Sequence, residues 1–156
     1  MKELNPRVKQ ALIDINFIKR YEELSNKFNE ERTPSEKRLR ILDGEIIMNI
    51  FKTLGYDSEF EPKEKFFKIE KEGIDNYFFS AHIILYGGMV DLVWIVRDKN
   101  GELLLGSPWG VYSRRIIDVN YKIKKPIFGT YEDLDEIFEV SFKMYEDFKK
   151  AMTNQA

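Results

Sequence analysis

The sequence predicts an α+β fold: a mainly antiparallel four- to five-stranded meander sheet with two N-terminal helices and one C-terminal helix. Three observations predict it. The stretch from Tyr77 to Gly106, YFFSAHIILYGGMVDLVWIVRDKNGELLLG, is three apolar runs separated by two turn signals, Gly87-Gly88 and Asp98-Lys99-Asn100-Gly101. Before it, apolar residues recur at helical spacing in two segments that each open on a capping signal. After it, a third segment of that kind follows a Pro/Gly break.

In chain order, Asn5-Pro6 opens the first helix, with Asn as N-cap and Pro where its missing N–H costs nothing. Val8, Leu12, Ile15, Ile18, Tyr21, Leu24 and Phe28 extend it to about Asn29. Thr33-Pro34-Ser35-Glu36 reads as a capping box for a second helix carrying Leu39, Leu42, Ile46, Ile47, Ile50, Phe51 and Leu54 on one stripe. Gly55 sits where a left-handed C-terminal residue belongs. Residues 58–62 read as irregular or edge-like because of Pro62, and 65–70 as a strand.

The Gly87-Gly88 loop fixes a register that pairs Tyr86 with Met89, Leu85 with Val90, Ile83 with Leu92, Ala81 with Trp94 and Phe79 with Val96. Carried across the second turn, it pairs Val96 with Leu103 and Trp94 with Leu105. This gives one continuous apolar face and a mixed face carrying Phe78, Ser80, His82, Ile84, Tyr86, Met89, Asp91, Val93, Ile95 and Arg97. Ser107-Pro108-Trp109-Gly110 reads as a loop, 115–119 and 121–124 as further strand, and Thr130 as the cap of a C-terminal helix running to Met152.

One domain spanning residues 1–156 is expected, able to bury roughly 70% of its unfolded surface. The formal net charge is −2, which argues against a general nucleic-acid binder, since phosphate neutralisation calls for a basic surface. Cysteine is absent, so no disulfide or thiolate chemistry is possible. MKELNPRVKQ lacks an apolar stretch of leader length, and no run approaches the ~20 apolar residues of a membrane span. The expectation is a soluble, cytoplasmic protein, monomeric or weakly dimeric.

Candidate chemistry is sparse. The single histidine, His82, lies on the mixed face, and the register sets Asp91 diagonal to it, within reach of a hydrogen bond. Such a pair could orient a general base, but no nucleophile accompanies it, and a half-buried strand histidine bonded to Asp91 is the favoured explanation. Neither a catalytic residue nor a metal ligand is expected, since no zinc spacing is present, and no cofactor. The alternative to a binding protein is a small enzyme or ligand-binding domain with a pocket around His82, Asp91 and Arg97 beside Tyr86. Acidic residues crowd 57–75 and the C-terminal helix, where pairs such as Glu139–Lys143 and Glu146–Lys150 would solvate a helix face. The functional reading of the same charge is a patch that steers a basic protein partner. Trp109 is either a plug or an interface anchor. Partner-binding candidates are therefore Tyr86, Asp91, Trp109, Tyr112, Glu132, Asp135 and Glu136.

With its central YGGMVDLVWIVRDKNGELLLGSPWG inside a helix–helix–meander–helix plan, the chain resembles the small immunity proteins of bacterial polymorphic toxin systems, such as those of contact-dependent growth inhibition. The resemblance implies a cytoplasmic, non-enzymatic protein that binds and neutralises a cognate toxin domain, often a nuclease. It transfers no individual binding residue.

Overall fold

Five antiparallel strands, paired in chain order, carry the helices of the core on one side. The computed structural model describes residues 3–153; the ends of the expected 1–156 domain, including Met1 and Lys2 of the N-terminal stretch, lie outside the described residues. The elements are α1 (Pro6–Asp14), α2 (Phe17–Lys27), α3 (Gly44–Thr53), β1 (Ser58–Glu61), β2 (Phe66–Ile74), β3 (Tyr77–Tyr86), β4 (Met89–Asp98), β5 (Leu103–Leu105), α4 (Trp109–Ile116) and α5 (Tyr131–Thr153).

The β3–β4 pairing follows the expected register at every residue from Tyr86↔Met89 to Phe79↔Val96. Across the next turn it does not. Val96 faces Leu105 and Arg97 faces Leu103, with a bulge between them, so Leu103 is exposed and Leu105 takes the core position. The turn explains the shift: the Asp98 carboxylate accepts from the Asn100 and Glu102 N–H groups, and Gly101 turns with φ +84°. That geometry consumes residues the simpler register assigned to the strand.

Both N-terminal helices are shorter than the periodicity suggests. The first breaks at Asn16, which adopts φ 59°, ψ 45°, a left-handed conformation that Asn tolerates better than most residues. The break swings Phe17 and Tyr21 against the β4 aromatic cluster, and the Arg20 guanidinium donates to the freed Ile15 carbonyl. The capping box at Thr33 is not used; Ser35–Lys37 is a single 3-10 turn without a side-chain cap. Residues 38–43 form no helix: the chain bends at Arg38 and at Ile41, and the Leu39 N–H donates to the Phe128 carbonyl at 3.1 Å where a helix would have turned it inward. Helix α3 starts only at Asp43, whose carboxylate accepts from the Glu45 N–H. Its end is as expected. Gly55 has φ +98°, and the Tyr56→Phe51 and Gly55→Lys52 backbone bonds complete a Schellman motif.

Of the strand expected at 115–119, Arg115 and Ile116 instead end α4 and 117–119 are turn and coil, and 121–124 carries no strand. Trp109, Tyr112, Ser113 and Ile116 fall at helical spacing, and the first three are buried. Helix α5 matches expectation. Thr130 Oγ1 accepts from the Asp133 N–H, while the Asp133 carboxylate accepts from the Gly129 N–H.

Inside, Trp94 of β4 stacks on Phe148 of α5 with centroids 4.8 Å apart and meets Phe17 and Trp109 edge-on. Beyond residue 95 toward the β3–β4 turn, β4 has no full strand partner on its outer side. Two isolated bridges, to Pro108 and Ile127, and one side chain serve there. The Tyr112 hydroxyl accepts from the Trp94 N–H at 3.0 Å and donates to the Trp94 carbonyl at 3.3 Å. One buried phenol thus stands in for a neighbouring peptide. Tyr112→Phe keeps the ring but orphans two buried backbone groups, so it should lower stability by about 1–3 kcal/mol, read as a shifted urea midpoint with unchanged slope.

Candidate interaction surface

The second sheet face is the natural place to look for a site, because the first is filled. Phe66, Phe78, Ile84, Met89, Val93 and Ile95 belong neither to the core cluster nor to the residues packed against it. The face is half-buried by its own neighbours and bordered by charged side chains such as Lys68 and Arg97.

Its polar candidates do not converge. His82 stacks on Phe66, ring centroids 4.1 Å apart, and does not bond Asp91. Burial first, then the Lys68 charge on the neighbouring strand, hold the imidazole below its ordinary pKa. Asp91 turns toward the sheet edge, where one oxygen accepts from the Leu92 N–H and the other lies 3.7 Å from Lys125 Nζ. Burial raises the Asp91 carboxyl above the usual range, against the opposing pull of Lys125 and the Leu92 N–H. Arg97 donates to the Gly101 carbonyl in the next turn. The expected His82–Asp91–Arg97 pocket is therefore not assembled: each member is committed elsewhere.

The partner-binding candidates separate sharply. Trp109 is 1% exposed and Tyr112 fully buried, so neither can anchor a partner. Their aromatic bulk is the plug between α2 and β4. Glu132 and Asp135 are exposed on the first turns of α5, whereas Glu136 is paired with Lys27. Much of the remaining helix charge is spent internally. Lys143 pairs with Asp147 where a Glu139 partner was expected, and Glu146 pairs with Lys149 where Lys150 was expected. Tyr86, at 79% exposure, is the one aromatic candidate left available.

Two features lay beyond the sequence reading. The first is at the β3–β4 turn. Segment 38–43, read as helix but irregular in the fold, carries Arg38 and Arg40 to the Gly87 carbonyl and leaves Ile41 at 90% exposure. The local pattern carries no signal for this path: Leu39 packs against the core while Ile41, two residues on, is exposed, and the bond that fixes Leu39 runs to distant Phe128. The second is Lys149, almost fully buried yet bonded to Glu72 at 2.6 Å and Glu146 at 2.7 Å, over the Tyr145 ring. A bulge in β2 between Ile69 and Glu72 turns Glu72 toward α5 and makes this contact. Burial works to raise the Glu146 carboxyl, but hydrogen bonds from Lys149 and Tyr56, with the Lys149 and Lys150 charges, hold it below the ordinary range.

Among the described residues no group of three or more His, Asp or Glu side chains is placed to hold a metal ion, and no helix is long and apolar enough to cross a membrane. Compared with protein-family models, curated proteins and solved structures, the chain finds no significant match in any of the three.

Two outcomes follow from these environments. The depressed His82 pKa means the unfolded chain takes up the proton first on acidification. Its contribution to stability is thus present above the ordinary histidine pKa and is lost as pH falls through the folded value. A His82 NMR titration should give a midpoint below 6.5, and Lys68→Gln should raise it. Lys149→Met strips two carboxylates of their shared cation and should cost about 1–3 kcal/mol, less than the 3–5 of a fully buried pair because both glutamates reach solvent; thermal unfolding with and without Glu72→Gln measures it.

Proposed function

We propose that this chain is a protein-binding module of the immunity type, neutralising a cognate toxin domain by docking on it. The observation that carries the reading is the exposure of Ile41 and Tyr86, the two most exposed large apolar side chains among the described residues. Both stand at the β3–β4 end of the molecule, because Arg40, next to Ile41, touches Gly87, next to Tyr86. Leaving a side chain of this size wet forgoes about 1.5–3 kcal/mol of burial, which a partner would recover. Neither sits on slack chain. Tyr86 closes a hydrogen-bonded strand, and Ile41 lies between the Leu39–Phe128 bond and the Asp43 N–H bond to the Tyr131 hydroxyl. A tyrosine beside two arginines has the composition of a binding hot spot, and Ile41 adds apolar area next to it. The resemblance of the central stretch to immunity proteins supplies the class of partner. Under this reading the chain acts by occupancy and performs no chemistry of its own.

The test is co-expression with the toxin domain encoded beside this gene. The chain should restore growth and co-purify, and Tyr86→Ala or Ile41→Asp should weaken binding by about 30-fold or more without lowering the unfolding temperature. Growth arrest despite full expression of the folded chain would refute the reading.

A further inference from the structure

The β3–β4 turn gathers two arginines and gives neither a carboxylate. Nη1 of Arg38 and Nη1 of Arg40 donate to the same Gly87 carbonyl oxygen, at 3.5 and 3.4 Å. Both distances exceed the usual N–H···O range, so the shared acceptor holds neither group firmly. Arg40 Nη2 also donates to the Ser35 carbonyl and hydroxyl, at 3.1 and 2.9 Å. Arg38 Nε is buried without a partner. Among the described residues neither guanidinium takes part in an ion pair. Two cations therefore converge on one neutral oxygen.

The convergence is built into the backbone. The Phe128 peptide joins both sides of it, accepting from the Leu39 N–H and donating to the Gly88 carbonyl at 2.9 Å. Gly88, at φ +76°, leaves the room that Arg38 occupies: a Cβ there would fall 2.6 Å from Arg38 Cβ. Arg40 is anchored at Ser35 on its other side. Their forks retain free N–H donors, and an oxyanion accepts two of these at once far more strongly than a carbonyl does.

We propose that Arg38 and Arg40 form an oxyanion-binding site whose occupant is a side-chain carboxylate on an acidic protein partner. This rests on the reading of the chain as a protein-binding module and names the chemistry of its partner. Protein is favoured over a phosphate polymer because Tyr86 and Ile41 flank the site with apolar surface and the chain's formal net charge is −2. The sign is opposite to that of a partner steered by acidic α5.

The experiment is an NMR titration of the full chain with end-capped hexaglutamate, inorganic phosphate and hexathymidylate. Hexaglutamate should move the Tyr86, Gly87 and Gly88 amide signals and the Arg38 Nε–H signal saturably. Arg40→Gln, at an exposed position, should weaken that binding about fivefold, and Arg38→Gln with Arg40→Gln tenfold or more. Three results would overturn the proposal: no saturable shift at these groups, an affinity unchanged in Arg40→Gln, or tighter binding of phosphate or hexathymidylate than of the peptide. The peptide result does not depend on any toxin. Intact hexaglutamate binding without toxin protection would count against the immunity reading alone.

Discussion

Everything in this fold leans on Trp94. Its indole stacks on Phe148 of α5 and is met edge-on by Phe17 of α2 and Trp109 of α4, so one β4 side chain touches three helices. Its own peptide is held by Tyr112 from α4. Aromatic pairs of this kind contribute about 0.5–1.5 kcal/mol each beyond their buried area, but geometry matters more here than the sum. The left-handed Asn16 is what aims Phe17 and Tyr21 into the cluster. Helix α4 replaces the loop expected at 107–110 and reaches into the strand expected at 115–119, and as a helix it buries both Trp109 and Tyr112 against Trp94. Tertiary burial outbids local pattern.

That dependence explains which parts of the chain were legible. The β3–β4 hairpin was readable residue by residue because a two-residue glycine loop leaves a single register and a one-residue slip would invert both faces. Helix α5 was readable because its cap and its apolar stripe are local. The failures arose where a distant partner, or a turn's own side-chain bonds, overrode the apolar pattern. Segment 38–43 gave up helix for a single bond from Leu39 to Phe128, far along the chain. The β4–β5 register slipped because Asp98 organised its own turn. Helical period in Trp109–Ile116 was masked by Gly110 and by β-branched neighbours.

The candidate site was legible only in part, for the same reason. Tyr86 could be placed on the mixed face from register alone. Trp109 could not be assigned as plug or anchor, since its burial depends on the expected first helix breaking at Asn16 so that Phe17 of α2 meets it. The His82–Asp91 diagonal was geometrically sound, yet a ring stacking on Phe66 and a lysine at the sheet edge offered each residue a better neighbour. Register fixes proximity; it does not fix which of several neighbours a side chain chooses.

A reading of charge from sequence alone pointed to acidic α5 as the docking element, and the structure redistributes that charge. Asp133, Glu136, Glu146 and Asp147 all face cations of the same chain: Arg32, Lys27, Lys149, and the pair Arg20 and Lys143. Carboxylates already neutralised at short range contribute little field at a distance, since the pair presents a dipole and salt screens the remainder. Arg38 and Arg40 differ because their acceptors are neutral, so no carboxylate of the chain offsets their charge beside Tyr86. The total charge of a sequence counts both sets alike. Only the contacts distinguish charge that is spent inside the fold from charge still available to a partner, and here the available charge at the hairpin end is positive.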